Sequence, residues 1–411
     1  MHIKYLLGCV LVATKAMSTV RDPEPVTNIR RMVTQIFDAL VEDMKSPVLP
    51  LPDSAKMSVP DQIADQGLKF ESFDVTTEDG YINSLWHVWD ESAEPLRKAN
   101  GDKKTLFLQH GLIDIAGTWF FNENSPAYNL SKQGYDVWLG NNRGTANSYK
   151  HVSLNYHKKK YWQFSFNEMG KYDVPAFLET VLNKTGVEKL TYLGHSQGTT
   201  QFWIANIFHE NLAQRIESFV GFAPVMFVGH CTSDLISLLT FLKIDVLIEA
   251  AFKNVLFKAS GIFAEIGPVF IDRLPRTVWA FVEAIVGFDQ VSHMNPERMP
   301  MMGRNDVGGT GTLNLKHWTQ NMKSGNFADL NGVEYDTSVL QKNLANTHLQ
   351  LFVGANDALA QELDFTALLQ TLLLTDIDLV KIADYNHLDY MWADDADEYV
   401  NQHLYKFLEN H

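Results

Sequence analysis

Leu190-Thr191-Tyr192-Leu193-Gly194-His195-Ser196-Gln197-Gly198-Thr199-Thr200-Gln201-Phe202-Trp203-Ile204-Ala205 reads as three elements in sixteen residues. An apolar run with β-branched and aromatic residues predicts a buried strand. Gly-x-Ser-x-Gly predicts a tight turn, and the apolar stretch after it predicts a buried helix. Strand, glycine-framed serine and helix in that order make a nucleophile elbow, in which the turn lifts the Ser196 hydroxyl above the carboxyl edge of a parallel sheet. Gly194 and Gly198 are expected to leave the room that such a turn needs. His195 occupies a variable place in the motif and is expected to be structural, with its ring directed away from Ser196.

A serine hydroxyl is a weak nucleophile near neutral pH and needs a base that a third group orients. Downstream, Leu349-Gln350-Leu351-Phe352-Val353 predicts a buried strand that ends in Gly354-Ala355-Asn356-Asp357. A helix is predicted over 361–373 and a further strand over 378–382, followed by Tyr385-Asn386-His387-Leu388-Asp389. Asp357 and His387 therefore fall on two successive strand exits, where ligand sites lie in open α/β sheets. The chain order nucleophile, acid, histidine is the one that goes with such an elbow. Ser196 is thus the expected nucleophile, His387 the base and then acid, and Asp357 the orienting carboxylate. Asp384 and Asp389 lie too near His387 in sequence to face its ring, while Asp376 and Asp378 precede a strand instead of following one.

The oxyanion of a tetrahedral intermediate needs two donors. The amide after the nucleophile, Gln197 N–H, supplies one. The second is expected from the loop after Thr105-Leu106-Phe107-Leu108-Gln109, where Gly111 would let the chain bend sharply and Leu112 N–H would donate.

These residues, with others, resemble the acid lipase family of lysosomal, gastric and related triacylglycerol and steryl ester lipases. The likeness runs through Asp79-Gly80-Tyr81, His110-Gly111-Leu112, Gly134-Tyr135-Asp136-Val137-Trp138-Leu139-Gly140-Asn141 with Arg143-Gly144, and Glu168-Met169 with Lys171-Tyr172-Asp173. It continues through Leu182-Asn183-Lys184-Thr185-Gly186, the elbow with Thr199-Thr200, Lys316-His317-Trp318-Thr319-Gln320 with Ser324-Gly325-Asn326-Phe327, Asn356-Asp357 and Tyr385-Asn386-His387-Leu388-Asp389. The resemblance implies an α/β-hydrolase fold, a mostly parallel central sheet flanked by helices with an inserted, mainly helical cap or lid. It also implies hydrolysis of lipid esters at a lipid–water interface, without a cofactor.

The expected layout is a secretory leader over 1–16, an N-terminal helix and Pro-rich linker over 17–62, core over 63–224, cap over 225–314 and core again over 315–411. The leader reads from Lys4, the apolar run from Tyr5 to Ala13 and small residues up to Ala16. It points to the secretory pathway, with a secreted, lysosomal or vacuolar destination. Asn129-Leu130-Ser131 and Asn183-Lys184-Thr185 are candidate glycosylation acceptors on that route. Cys9 would leave with the leader, so Cys231 would remain unpaired.

Ile29, Met32, Val33, Ile36, Phe37, Leu40 and Val41 fall on one face of a helix over 26–45, which Pro47-Val48-Leu49-Pro50-Leu51-Pro52 breaks. This helix reads as a pro-segment or as an extra helix packed on the core, with packing preferred. In the cap, 235–257 and 275–286 have helical apolar spacing. Charges interrupt both, so neither reaches the roughly 20 apolar residues of a membrane span. Met294, Met299, Met301 and Met302, leading into Gly303, Gly308, Gly309 and Gly311, would suit an adaptable lining.

A net charge of −15 argues against nucleic acid and against capture by anionic membranes. The chain has neither His-Glu-x-x-His nor Cys-x-x-Cys, so no metal is expected. Two other functions share the fold. An acyltransferase would use the same acyl-enzyme, with an alcohol or sterol in place of water. A silent lipid-binding protein would have no chemical need for all three of Ser196, Asp357 and His387.

Overall fold

The computed structural model describes residues 24–46, 57–233, 255–256, 271–288, 293–294, 307–373 and 376–411. The leader with Cys9, the Pro47–Pro52 breaker, nearly all of 235–257, and Met299, Met301, Met302 and Gly303 lie outside them.

Strands β1 (Lys69–Thr76) and β2 (Tyr81–Trp89) form an antiparallel pair with Thr76 opposite Ile82. The turn between them passes through Gly80 at φ 92°, a conformation that favours a residue without Cβ. β3 (Thr105–Gln109) and β4 (Asp136–Gly140) are buried at every position, as strands covered on both faces must be. β5 (Lys150–His151) is a short edge piece on β2. Then come β6 (Leu190–His195), β7 (Ile216–Phe222), β8 (Val255–Leu256), β9 (Thr310–Gly311), β10 (His348–Gly354) and β11 (Ile377–Ile382). Among the described residues the main sheet runs β1-β2-β4-β3-β6-β7-β10-β11, with β5 off this path. From β4 to β11 every pairing is parallel, while β1, β2 and β5 add antiparallel pairings at one edge. This is the expected mostly parallel sheet. Because β3, β6, β7, β10 and β11 run the same way, the loops that carry residues 110–114, 196, 357 and 387 all leave one edge of the sheet.

The helices follow from their apolar spacing. α1 (Glu24–Lys45) is the predicted N-terminal helix, begun two residues early. α2 (Val174–Thr185) buries Val174, Phe177, Leu178, Val181 and Leu182 on one face and ends at Gly186, φ 75°. α3 (Gln197–Phe208) is buried from Gln197 through Asn206, because it lies under the sheet's centre. α4 (Pro275–Val286) belongs to the stretch assigned to the cap, α5 (Thr312–Ser324) straddles the end of that stretch, and α6 (Glu362–Leu372) links β10 to β11.

Two features depart from expectation. α1 packs on α4 instead of on the sheet core: Met32 and Ala284 are buried together, with Val33, Ile36, Ile285 and Phe288 around them. Its Asp43 carboxylate accepts from the Thr277 amide at 2.8 Å and the Thr277 hydroxyl at 2.7 Å, satisfying amides at the start of α4 that the helix cannot. Distal apolar positions alone could not say which neighbour they would meet. The second is that the loop after β3 takes a left-handed residue, for which sequence offers no glycine. It is Ile113, at φ 66°.

Between the hairpin and α2, Arg143 is fully buried and forks onto two carboxylates. It donates to Asp173 at 2.7 and 2.9 Å and to Asp79 at 2.6 and 2.8 Å, and its guanidinium lies 4.0 Å from the centre of the Tyr81 ring. Five of the residues that carry the family resemblance, Asp79, Gly80, Tyr81, Arg143 and Asp173, thus form one staple beside the β5 edge. Charge-assisted bidentate bonds are what make a buried arginine tolerable.

Candidate active site

β6 ends in the elbow. Ser196 has φ 52° and ψ −120°, a backbone conformation that non-glycine residues rarely take, and its amide is held by the Phe222 carbonyl at 3.0 Å. Strain at one residue is what a chain must accept to pass directly from strand to helix with the side chain at the crest. The two glycines are needed for space. A Cβ on Gly198 would sit 2.2 Å from the Gln109 carbonyl oxygen, inside β3, and one on Gly194 would sit 3.0 Å from the Gly198 carbonyl carbon. After the turn, Thr199 accepts the Val225 amide at 2.8 Å and donates back to the Ser196 carbonyl at 2.7 Å, which locks the first turn of α3.

The structure brings the three separated side chains together. His387 Nε2 lies 2.6 Å from Ser196 Oγ, and its Nδ1 lies 2.8 Å from Asp357 Oδ2 and 3.0 Å from Oδ1. Asp357 is buried, and its Oδ1 also accepts the amides of Leu359 at 2.9 Å and Ala360 at 2.8 Å. A carboxylate so fixed can receive Nδ1–H and leave Nε2 as the acceptor of the serine proton. Three of the other acids are engaged elsewhere, and Asp384 is exposed. Asp378 accepts from Gln350 at 2.7 Å, Asp376 pairs with His348, and Asp389 accepts the Asn386 amide at 2.6 Å. Asp389 thereby closes the loop that carries His387, and burial pushes its carboxyl up to about 7.

Gln197 is the first residue of α3, so its amide has no acceptor inside the helix and opens at the positive end of the helix dipole. Gly111 lies against the elbow: a Cβ there would come 3.2 Å from Ser196 Cβ and from His195 Nδ1. Leu112 follows directly, and its amide donates to no main-chain carbonyl among the described residues. The loop is held at both ends. His110 donates from Nδ1 to the Gly111 carbonyl at 2.9 Å and accepts the Asn142 amide at Nε2 at 3.0 Å, while burial holds its pKa down to about 4. Asp114 accepts the Ile115 amide at 2.8 Å and is buried deeply enough that its carboxyl rises to about 8. Gly308 donates its amide to the Ile113 carbonyl at 2.8 Å, and a Cβ there would meet the Asp114 carbonyl oxygen at 2.3 Å.

His195, read as structural, sits beside the His387 ring, 5.2 Å between centroids, and donates from Nε2 to the His387 carbonyl at 2.8 Å. Burial holds its pKa down to about 3, so the ring is neutral. His195, Asp114, Gly308 and Asp389 were not singled out by sequence as parts of the site. His195 and Gly308 bond main-chain carbonyls far along the chain, while Asp114 and Asp389 tie amides within their own loops, and no periodicity signals either kind of contact.

The two glycosylation candidates differ in setting. Asn183 is exposed near the end of α2, whereas Asn129 donates to the Glu123 carbonyl at 2.9 Å and Ser131 is fully buried.

Family models agree with this architecture. The α/β hydrolase fold model matches residues 104–277, and the partial α/β-hydrolase lipase region matches 59–123. Gastric triacylglycerol lipase of Homo sapiens is 34% identical over 363 residues, covering 84% of this chain and 89% of its own length. Lipase member K of Homo sapiens is 32% identical over 372 residues, covering 87% and 92%. Among solved structures, carboxylesterase CesB (YbfK) from Bacillus subtilis superposes with a TM-score of 0.51 at 15% identity, covering 88% of this chain and all of its own. That likeness is one of fold alone, whereas identity at this level along nearly the whole length shows that the chain belongs to the acid lipase family of α/β-hydrolases.

Proposed function

We propose that this chain is a lipase that cleaves lipid esters, triacylglycerols or steryl esters, through an acyl-enzyme on Ser196. Ser196 Oγ attacks the ester carbonyl carbon as its proton passes to His387 Nε2. Asp357 keeps the imidazole in the required tautomer and stabilises the imidazolium. The amides of Gln197 and Leu112 donate to the carbonyl oxygen as it gains charge. The intermediate collapses, His387 protonates the departing alcohol, and a water activated by the same ring releases the fatty acid. The observation that carries this reading is the 2.6 Å contact of His387 Nε2 with Ser196 Oγ, backed by Asp357 at 2.8 Å.

The lipid character of the substrate is supported by the relatives' names and by the ninety-residue stretch 225–314, which we read as a cap over the acyl site. Among the described residues no helix is long and apolar enough to cross a membrane. A destination in the secretory pathway is supported by the leader read over 1–16, with Asn183 the better-placed glycan acceptor.

A fluorophosphonate probe tests the chemistry. Wild-type protein labels and Ser196→Ala does not. Folded wild-type protein that stays unlabelled sinks the reading. Fatty acid release from emulsified triglyceride and steryl ester, compared with a soluble short-chain ester, then fixes the substrate class.

A further inference from the structure

The side chain of Gln197 is as firmly held as its amide is free. It is buried, and its Oε1 accepts two hydrogen bonds from one face of α5: Asn314 Nδ2 at 2.9 Å and Trp318 Nε1 at 2.8 Å. Its Nε2 points to the Met169 sulfur at 3.5 Å, a weak acceptor, so orientation rests on Oε1. Asn314 and Trp318 are four residues apart, one helical turn, which is why both reach the same oxygen. Asn314 is itself fully buried and anchored twice more, accepting the Phe166 amide at 2.8 Å and donating to Thr310 Oγ1 at 3.1 Å in β9. Trp318 packs its ring on Phe166, 4.5 Å between centroids. The neighbouring His317 bridges the Ser165 hydroxyl at 2.9 Å and the Ala328 carbonyl at 2.7 Å, so α5 as a whole has little freedom to shift.

We propose that Asn314 and Trp318 are positioning residues for the reaction: they fix the Gln197 carboxamide and so aim its main-chain N–H at the developing oxyanion. The proposal rests on the ester-hydrolase reading above and gives the Lys316-His317-Trp318 stretch a chemical reason that the three reacting side chains do not supply. Gln197 is the pivot between strained Ser196 and α3. Its side chain and its amide share one Cα, so rotation of one about the strained turn moves the other. An oxyanion donor acts only when it is aimed in advance, at the place the oxygen will reach.

Trp318→Phe isolates the contact, since the smaller ring can still lie on Phe166 while the N–H is gone. Asn314→Ala removes the second donor but also releases the Phe166 amide, so it is the supporting variant. Both are made in the full chain and assayed on a soluble short-chain p-nitrophenyl ester. kcat is expected to fall roughly tenfold or more, with KM within about twofold. The second readout is a trifluoromethyl ketone, to which Ser196 Oγ adds as its proton passes to His387 and the ketone oxygen becomes an oxyanion. Its affinity falls by the same factor as kcat/KM, while that of a non-reacting ether analogue of the ester is kept.

Wild-type kcat and ketone affinity in Trp318→Phe overturn the proposal. So does an equal loss of ketone and ether binding, which marks general loosening of the site. The parent reading is tested on its own arm: wild-type protein that is folded but inert to fluorophosphonate overturns both.

Discussion

His195 Nε2 donates to the main-chain carbonyl of His387 across 2.8 Å, so the residue just before the nucleophile holds the residue that would deprotonate it. The bond ties the end of β6 to a loop 192 residues away in sequence. Burial holds the His195 pKa down to about 3, so above that pH the ring is neutral and its one N–H lies on Nε2. His195→Ala leaves the His387 carbonyl without its partner, which costs about 1–3 kcal/mol of stability when such a group is buried. We expect kcat to fall roughly ten- to a hundredfold, as the base drifts from its hydroxyl. Gln at this position can still present an N–H and should recover part of the loss. Steady-state kinetics on a soluble ester read this out, and unchanged kcat in His195→Ala would refute it.

Asp357→Asn tests the tautomer argument. Oδ1 is committed to the Leu359 and Ala360 amides, so an asparagine would keep its oxygen there and turn its NH2 toward His387 Nδ1. The imidazole would then carry its proton on Nε2, facing Ser196 with a donor where an acceptor is required. A loss of about 10⁴ in kcat is expected, with melting temperature nearly kept. A loss below tenfold would mean that another acid orients the ring.

Much of this site was legible before any coordinates. The elbow announces itself because strand, turn and helix fall within sixteen residues; Asp357 follows an apolar run that reads as a buried strand, and His387 follows the next, half-exposed strand in the order that the elbow calls for. Gly198 shows where such reading stops. Sequence asks for a small residue, but only the sheet shows the reason, the Gln109 carbonyl oxygen 2.2 Å from any Cβ. Contacts of Gly308 with Asp114, of Asp43 with Thr277 and of Trp318 with Gln197 join segments with no shared periodicity. They depend on how distant elements stack, and one chain carries no local mark of that.

Gly198→Ala is accordingly predicted to cost about 4 kcal/mol or more, because β3 cannot move away from β6 without losing ladder bonds. The clash at Gly194 is milder, 3.0 Å to the Gly198 carbonyl carbon, and Gly194→Ala should remain expressible with reduced activity. Comparing soluble yield and urea midpoints of the two variants checks the order. The reverse order would contradict the close approach seen here.

Asp114 should tilt stability toward acid. Its carboxyl is raised by burial from about 3.8 to about 8, so between those values the native state keeps a proton that the unfolded chain has released. Native structure is therefore favoured at low pH. This contribution is complete below pH 3.8 and is lost as pH climbs through 8. Asp389 and Glu283, both raised to about 7 by burial, act with the same sign. Asp114→Asn mimics the protonated acid. Its melting temperature should vary less between pH 5 and 8.5 than that of the wild type, the gap being widest at the alkaline end. Parallel curves for the two proteins would dispose of the argument.

The N-terminal helix should act as a brace on the cap. Asp43 accepts both the amide and the hydroxyl of Thr277 at the start of α4, and removal of such a cap costs about 1 kcal/mol. The C-terminal end of α4 is tied to the site: the Val286 carbonyl accepts the Ala358 amide at 2.9 Å, one residue beyond Asp357. Gly287 also passes close to the same loop, for a Cβ there would lie 1.9 Å from the Asn356 carbonyl oxygen. Loosening the far end of α4 should therefore reach the acid's loop only weakly, while freeing the cap to move. We expect Asp43→Ala to leave kcat on a soluble ester within about twofold and to change the rate on emulsified lipid by more, since, on the proposed reading of 225–314 as a cap, only the latter requires it to yield. Hydrogen exchange along residues 275–286 should rise in the variant. Equal effects on both substrates, with unaltered exchange, would show that α1 merely rests on the cap.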